Sequence, residues 1–499
     1  MPRPILPAFG RLRATGATTG ETSFYSALEG LLDAVGSDLK PKVFCVSQMA
    51  DQGAGRPDFG LFAATQCQRG TPKEGQKPER GVVEVKTTAD EAWLTAETRQ
   101  VTKYWVAYRI VLVTNYRDFL IVGEGKDGQI EKLEGFRLAS SAADFWSRVS
   151  KPNKYAEEVG QSLGEYLKRA MTHSVSLRDP KDVAWFLASY ARDALARVND
   201  KGDIPALKAV RSALEEALGV HFEGEKGDRF FRSTLVQTLF YGVFSAWVLW
   251  SRQIPPPTSS FDWRSAVWHL RVPMLQALFQ QVSDPAKLKA LGLVQLLDWT
   301  GATLNRVDRS EFFARFQDAE AVQYFYEPFL EAFDPDLRKE LGVWYTPPEV
   351  VTYMVARVDK ALKDDLGIPD GLAATNVFIL DPCTGTGSFL GVVLRRIAAN
   401  LDHKGLGGLK GAMVKKAAVE RVFGFEIMPA PFVVAQGLFL DDDRADRYPA
   451  NIFEWGYGAD MELLIFHKAM ASFRILNAFD TRNPVKPETE ASFTLKKSF

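Results

Sequence analysis

Two acidic residues and a lysine in the first part of the chain have the spacing of a hydrolytic site. Asp58 stands in "GRPDFGLF", and Glu84 and Lys86 stand in the later run "GVVEVK". Side chains two residues apart on a strand point to the same face, so Glu84 and Lys86 are expected to lie together. Two carboxylates beside a lysine can hold a hard cation and a water, as phosphodiester hydrolysis requires. The pattern predicts a Mg²⁺ site held by Asp58 and Glu84.

A single E-x-K on a strand more often serves solubility than catalysis, so the surrounding sequence matters. The "PD" pair lies upstream within reach of a hairpin, and the polar stretch from Gln66 to Arg80 can form a surface loop. A helix carrying Glu29 precedes both runs. These neighbours favour the catalytic interpretation.

A second motif, "ILDPCTGTGSFLGVVL", predicts a strand, a glycine turn and a helix. Asp381 ends the strand, and Gly385 and Gly387 permit backbone turns that other residues resist. Such a turn occurs in many α/β domains. A Walker phosphate loop is excluded because no G-K-[S/T] follows, and a dinucleotide fingerprint is disfavoured because Gly391 comes one position late. The turn therefore indicates a nucleotide-type pocket without choosing its ligand.

Two flanking segments extend this pocket. "GVWYTPPEVV" places Tyr345, Thr346 and Pro347 before a helix, and "VFGFEI" places Glu426 at the end of the next strand. A carboxylate at that strand end can bind both hydroxyls of a ribose, whichever adenosine cofactor is present.

The elements that must position these residues fall into regions of different pattern. Short β-rich runs follow a helix up to about residue 150, helical segments fill the middle, and buried-strand runs such as "NVFILD" return after about residue 340. We predict an α/β multidomain protein with an α/β domain at 1–150, an all-α connector at 151–335, a second, partial α/β domain at 336–460 and an irregular or disordered tail at 461–499.

Composition restricts the class of protein. The 61 Lys and Arg residues nearly balance the 62 Asp and Glu residues, so affinity for nucleic acid must come from local patches. The three cysteines and five histidines lack disulfide or zinc-site spacing. The apolar run from Leu235 to Trp250 is too short and too polar to span a membrane and predicts a buried helix. The first 20 residues have Pro, Gly and Arg where a signal peptide needs an apolar core, so we expect a cytoplasmic protein.

The first site resembles a known nuclease family. "PD...EVK" followed by "QVTKYW" is similar to the PD-(D/E)xK nuclease fold, in the form fused to the N-terminus of single-chain restriction-modification enzymes. The resemblance implies that Asp58, Glu84 and Lys86 are catalytic and that a helical glutamate, Glu29, supports the metal. It also implies that Gln100 and Tyr104 position the active site and the DNA backbone.

The second site resembles the gamma-class N6-adenine DNA methyltransferases, through "YTP", "DPCTGTGSF" and "GFEI" in this order. The lead-in "YFYEPFLEAFDPDLRKELGVWYTPPEVV" resembles the entry to that domain in type IIG enzymes. The resemblance implies S-adenosylmethionine as cofactor. The implied cofactor-binding residues are Tyr345, Thr346, Pro347, Asp381, Pro382, Gly385, Gly387, Glu426, Ile427 and, in "RYPANIFEW", Asn451.

An adenine methyltransferase also needs acceptors for the exocyclic amine and an aromatic ring to stack on the flipped base. The family supplies them in an [N/D/S]-P-P-[Y/F] loop, and this sequence has only "NPVK" at Asn483. We therefore expect a Rossmann-like domain that stops before this loop, through truncation, a frameshift after about Gln436, or a partner chain that supplies the remainder and the target recognition.

Together these features predict a restriction-modification protein that acts on double-stranded DNA with Mg²⁺ and S-adenosylmethionine and does not methylate DNA alone. One alternative is a non-catalytic subunit that binds DNA or S-adenosylmethionine in a defence complex. Another is an RNA or small-molecule methyltransferase, against which "PD...EVK" argues.

Overall fold

The computed structural model describes residues 24–125, 127–218, 221–253, 255–270, 273–315, 321–340 and 346–426, and five short strands between 455 and 495. The chain divides into two compact units, Met1–Ser176 and Leu177–Phe499. Both helices and sheets are present, with helices predominating, so the predicted α/β class is confirmed.

The first unit is built on a six-stranded mixed sheet of order β1-β2-β5-β6-β7-β8. Neighbouring strands are antiparallel except β5 and β6, which are parallel. A small hairpin, β3 and β4, forms part of the chain connection between β2 and β5 and is separate from this sheet. The strands are β1 Val43–Ser47, β2 Phe59–Ala63, β3 Cys67–Gln68, β4 Thr71–Pro72, β5 Val82–Val85, β6 Val111–Thr114, β7 Asp118–Glu124 and β8 Ile130–Arg137.

Helices cover both faces of this sheet, because its strands carry apolar residues on both. Val83 packs in a core that includes Leu28 and Leu167, whereas its neighbour Val82 packs in a second core with Val101 and Tyr104. A 3-10 turn at Ala64–Gln66 follows β2. The helices are α1 Tyr25–Ser37, α2 Ala92–Thr95, α3 Arg99–Tyr108, α4 Ala142–Val149 and α5 Pro152–Met171.

Helix α5 lies in the region that the sequence assigned to the connector, yet it belongs to the first unit. Leu163, Tyr166 and Leu167 are buried in the first core, and the Tyr166 hydroxyl donates to the backbone carbonyl of Glu134 on β8 at 3.2 Å. The apolar face of α5 covers sheet surface that would otherwise meet water. The compact unit thus extends to Ser176 rather than to residue 150.

Between residues 177 and 340, the described part of the second unit consists of helices and the segments that connect them. The predicted buried helix around Leu235–Trp250 is confirmed: the run lies within the 28-residue helix α8, and its apolar side chains are buried except that of Leu249, which is partly buried. In the part of the chain that the structure describes, no helix has the length and apolar character to cross a membrane. A 3-10 turn lies at Trp263–Ser265. The helices are α6 Pro180–Asp200, α7 Pro205–Leu218, α8 Gly224–Ser251, α9 Ala266–His269, α10 Pro273–Val282, α11 Pro285–Leu291, α12 Val294–Leu304, α13 Arg309–Arg315, α14 Ala321–Phe333 and α15 Pro335–Glu340.

The α/β part of the second unit follows with two parallel strands and three helices. The strands pair Ile379 with Val422 and Asp381 with Gly424. A core including Val355, Ile397 and Ala418 joins the helices, and a 3-10 turn lies at Gly371–Ala373. The elements are α16 Pro348–Asp364, β9 Ile379–Asp381, α17 Ser388–His403, α18 Lys410–Glu420 and β10 Val422–Gly424.

Five further strands lie beyond residue 454. β11 (Trp455–Tyr457) pairs with β14 (Asn477–Phe479), and β13 (Ala471–Ile475) pairs with both β12 (Met461–Leu463) and β15 (Ala491–Leu495), all antiparallel. This differs from the irregular tail predicted for 461–499. Short polar–aromatic runs such as "ASFRI" and "ASFTL" have the period-two pattern of strands.

Two candidate functional sites

The first site lies where β2 and β5 meet at one end of the sheet. The two strands are antiparallel with Phe59 opposite Val83, so Asp58 comes next to Glu84. The backbone amide of Val85 donates to Asp58 Oδ2 at 2.7 Å. The strand register therefore brings together two carboxylates that are 26 residues apart in the sequence.

The lysine lies against the second carboxylate. Lys86 Nζ donates to Glu84 Oε1 at 2.6 Å, which shows that both side chains point to the same face. The Glu84 side chain is 2% exposed and that of Lys86 is 31% exposed. A buried carboxylate is costly unless it is paired, and Lys86 supplies the compensating charge from a partly exposed side chain.

Tyr25 is a further residue of this site that the sequence motifs did not include. Its hydroxyl donates to Asp58 Oδ1 at 2.6 Å, and its ring packs on Phe59 with centroids 5.2 Å apart. The contact joins residues that are 33 positions apart. The only local signal was helical spacing, because Tyr25 lies one turn before the predicted site residue Glu29 on α1.

Glu29 and Asp33 bind the outer edge of β1. Glu29 Oε1 accepts from the amide of Ser47 at 3.3 Å, and Asp33 Oδ1 accepts from the amide of Cys45 at 3.0 Å. β1 is an edge strand, so these carboxylates occupy amides that would otherwise be open to pairing. Ser47 pairs with Phe59, which places Glu29 at the strand end next to Asp58.

Gln100 and Tyr104 lie on α3, over the face of the sheet that carries Glu84. Gln100 Nε2 donates to the Tyr104 hydroxyl at 3.0 Å, and Tyr104 is 1% exposed. Burial raises the pKa of Tyr104, and the charges of Glu84 and Asp58 raise it further, against the opposing effects of Gln100 and Lys86. Tyr104 therefore stays a neutral hydrogen-bond donor at physiological pH, within electrostatic reach of the predicted catalytic residues.

Among the described residues, no group of three or more His, Cys, Asp or Glu side chains has the arrangement of a metal site. Asp58 and Glu84 offer two carboxylates. Mg²⁺ is commonly held by one or two carboxylates, with waters and substrate phosphates completing its shell. The oxygen donors of this site fit Mg²⁺ in number and chemical type.

The second site is the glycine turn between β9 and α17. Gly385 and Gly387 have φ values of 56° and 86°, which a side chain would resist. A Cβ at Gly385 would meet nothing within 4 Å, so the turn faces open space. Asp381 Oδ1 accepts from the amide of Cys383 at 3.1 Å, and burial raises the pKa of Asp381.

Glu426 closes onto this turn from the end of β10. Its Oε2 accepts from the amide of Gly385 at 2.8 Å. The backbone supports the contact, because Thr384 N donates to Phe425 O and Phe425 N donates to Asp381 O, both at 2.9 Å. β9 and β10 are parallel neighbours, and the carboxylate after β10 faces the glycine turn after β9. A site for an adenosine-type ligand requires this arrangement.

Two buried polar atoms of the turn have no hydrogen-bond partner in the described part of the chain: Asp381 Oδ2 and Thr386 Oγ1. Buried polar atoms normally have partners, so such orphans indicate a binding site or an unfilled water position. The orphaned oxygens, the open space at Gly385 and the carboxylate of Glu426 fit a cofactor that carries both a ribose and an ammonium group.

Of the other residues predicted to bind the cofactor, three lie in the described part of the chain and three do not. Pro382 follows β9 in the turn, and Thr346 and Pro347 precede α16, where the carbonyl of Pro347 accepts from Val350 N at 2.9 Å. Tyr345, Ile427 and Asn451 lie outside the described residues.

A cavity of about 310 Å³ lies elsewhere in the second unit. Its lining includes Ile368, Asp370, Leu401 and Met413, near the C-terminal end of α17. That helix has 16 residues and is about 24 Å long, with the glycine turn at its other end. The cavity is therefore separate from the turn.

Comparison with known proteins identifies one part of the chain. Residues 317–440 match the sequence model of the N-6 DNA Methylase family. The match confirms that this part resembles an N6-adenine DNA methyltransferase, and it does not extend to the first unit. No curated protein matches the chain.

Three solved structures are similar to the chain, at low identity and low structural similarity. One is the cryo-EM structure of a DrdV–DNA complex, with 20% identity, a TM-score of 0.36, and coverage of 89% of this chain and 38% of that chain. Another is the ATP-dependent Type ISP restriction-modification enzyme LlaBIII bound to DNA, with 20% identity, a TM-score of 0.36, and coverage of 69% and 20%.

The third is a nuclease-deletion mutant of the Type ISP restriction-modification enzyme LlaGI in complex with a DNA substrate mimic. Its identity is 19%, its TM-score is 0.31, and coverage is 54% of this chain and 23% of that chain. The chain thus spans less than two fifths of the length of each of these three proteins.

Proposed function

We propose that this protein is a restriction-modification protein whose first unit hydrolyses DNA and whose second unit binds S-adenosylmethionine for N6-adenine methylation. The observation that carries the nuclease part is the meeting of Asp58, Glu84 and Lys86 at one strand end, with Lys86 Nζ 2.6 Å from Glu84 Oε1. The family match over residues 317–440 carries the methyltransferase part.

In the nuclease site, Asp58 and Glu84 would hold Mg²⁺. The bound ion would lower the pKa of a water and neutralise charge on the phosphate. Lys86 would orient the attacking water or balance the charge that develops on the phosphate, because its side chain is partly exposed beside the buried Glu84. The Tyr104 hydroxyl accepts from Gln100 Nε2 and would direct its own hydrogen toward the same region.

In the second unit, Asp381, Pro382, Gly385, Gly387 and Glu426 would hold S-adenosylmethionine, with Thr346 and Pro347 as further proposed contacts. Bound S-adenosylmethionine supplies a transferable methyl group. Glu426 binds the ribose hydroxyls, which requires its contact with the Gly385 amide to be shared or exchanged. The open space at Gly385 lets the ligand approach the backbone.

The test of the nuclease is Glu84→Gln in the full chain. Wild type should cleave long duplex DNA of mixed sequence only when Mg²⁺ is present. The variant should lose about 100-fold or more of this activity, since losing a ligand exceeds the 10- to 100-fold effect of losing a supporting partner. Initial rates of cleavage measure the change.

Glu97→Gln is the matched control, because Glu97 forms an exposed pair with Lys132 in the same unit, with side chains 63% and 39% exposed. It should cleave like wild type. Cleavage without a divalent cation, or cleavage that survives Glu84→Gln, contradicts the assignment. Duplex binding without any cleavage would favour the alternative of a non-catalytic DNA-binding subunit.

A further inference from the structure

We infer that Tyr25 is a positioning residue for the proposed nuclease, fixing the Asp58 carboxylate in the orientation that binds Mg²⁺. The inference rests on the proposed function. Its basis is the 2.6 Å hydrogen bond from the Tyr25 hydroxyl to Asp58 Oδ1, which links α1 to the catalytic end of the sheet.

Among the described residues, Asp58 is held by one donor on each oxygen. Oδ2 accepts from Val85 N at 2.7 Å and Oδ1 accepts from Tyr25. An ionised carboxylate has about four lone-pair sites, so each oxygen retains one acceptor site after these bonds. Two fixed donors determine the plane of the carboxylate and therefore the direction of the lone pairs that remain for a cation.

The position of the Tyr25 phenol is fixed by the packing of its ring and by the attachment of its helix to β1. Its ring packs on Phe59, the residue after Asp58, with centroids 5.2 Å apart. One turn along α1, Glu29 binds the amide of Ser47, which fixes the helix against β1 near the same strand end. A supporting donor with so little freedom pre-organises the carboxylate before any metal binds.

Tyr25→Phe removes only the hydroxyl and keeps the ring on Phe59. The concentration of Mg²⁺ that gives half-maximal cleavage should rise about 10- to 100-fold, as for other partners of metal ligands. The maximal rate at saturating Mg²⁺ should approach that of wild type. Calorimetric titration of the full chain with Mg²⁺ should show the same loss of affinity.

Tyr108→Phe is the matched control, because it makes the same chemical change in the same unit at a buried hydroxyl without a partner in the described part of the chain. Its Mg²⁺ dependence should equal that of wild type. A merely structural role of Tyr25 would lower the melting temperature without changing the half-saturating Mg²⁺ concentration, and this result would overturn the inference.

The same experiment separates the two levels of the proposal. If wild type and Tyr108→Phe cleave with Mg²⁺ and Tyr25→Phe has their Mg²⁺ dependence, only the role of Tyr25 is wrong. If wild type neither cleaves DNA nor binds Mg²⁺, the nuclease proposal fails, and the role of Tyr25 fails with it.

Discussion

At the scale of single residues, Asp359 shows how a buried charge holds the second unit together. It is fully buried on α16 and accepts from Lys363 Nζ at 2.8 Å, Arg396 Nε at 2.9 Å and Asn400 Nδ2 at 2.6 Å. It also accepts from the amide of Leu372 at 2.9 Å. One carboxylate thus joins α16, α17 and the turn before β9.

These contacts predict a dependence of stability on pH. Burial alone would raise the pKa of Asp359, but the hydrogen bonds from Lys363, Leu372 N, Asn400 and Arg396 outweigh burial and lower it. A carboxyl with a lowered folded-state pKa stabilises the fold above its unfolded pKa of about 3.9. That stabilisation is lost as the pH falls through the folded-state pKa.

Asp359→Asn should remove this dependence and destabilise the second unit at pH 7. We expect a loss of about 3 kcal/mol, the lower end of the range for breaking a buried charge pair, because Lys363 and Arg396 reach solvent. Pulsed hydrogen exchange in urea gives the urea concentration at which the amides of α17 lose half of their protection. Measuring this midpoint at neutral and acidic pH tests both effects.

Asp402→Asn on α17 is the control, since Asp402 pairs with Lys410 at the surface and such pairs contribute about 0–1 kcal/mol. If Asp359→Asn keeps the neutral-pH midpoint of wild type, the network does not have the stabilising role assigned to it.

At the scale of elements, the glycine turn depends on the close approach of β10. A Cβ on Gly424 would lie 2.3 Å from Thr384 Oγ1 and 2.7 Å from Leu390 Cδ1. Gly424 is paired with Asp381, at the base of the turn. A side chain there must displace the side chains of Thr384 and Leu390, and with Thr384 its hydrogen bond to the carbonyl of Asp381, or else the strand itself.

Gly424→Ala should therefore weaken binding of S-adenosylmethionine by about 10-fold or more. Overpacking costs about 1–3 kcal/mol, and a loss of about 1.4 kcal/mol in binding free energy lowers affinity tenfold. Calorimetric titration of the full chain with the cofactor measures this.

Gly391→Ala on α17 is the matched glycine control. Its Cβ would meet only Arg395 Nη1 at 3.9 Å, and replacing a helical glycine by alanine should stabilise by about 0.5–1 kcal/mol. Its affinity for the cofactor should not change. Wild-type affinity in Gly424→Ala would show that the packing of β10 does not shape the pocket.

At the scale of the whole molecule, the proposed activities lie in different compact units with separate cores. Mutations that share no partners usually have additive effects. Glu84→Gln should therefore retain the wild-type affinity for S-adenosylmethionine, and Gly424→Ala should retain Mg²⁺-dependent cleavage.

Cleavage and cofactor affinity can be measured on the same preparations. The double variant Glu84→Gln, Gly424→Ala should show the loss of cleavage of the first variant and the loss of affinity of the second, without any further loss. A loss of cofactor binding in Glu84→Gln, or of cleavage in Gly424→Ala, would instead reveal coupling between the units.

The sequence alone predicted the local features of both sites and of the buried helix. The period of a strand put Glu84 and Lys86 on one face, and the observed 2.6 Å contact agrees. The glycines of "DPCTGTGSF" predicted a turn, and Gly385 and Gly387 have the positive φ that such a turn needs. The 16-residue run around Leu235–Trp250 predicted a buried helix. Each of these features depends on residues within a few positions of one another.

Only the tertiary structure decided which distant residues meet. Tyr25 reaches Asp58 and Gly385 reaches Glu426 across 33 and 41 positions. The packing of α1 on the first sheet explains the first contact, and the pairing of β9 with β10 explains the second. The assignment of α5 to the first unit likewise follows from the sheet face it covers. Periodicity gives the face on which a side chain lies, whereas strand order and register determine what stands opposite it.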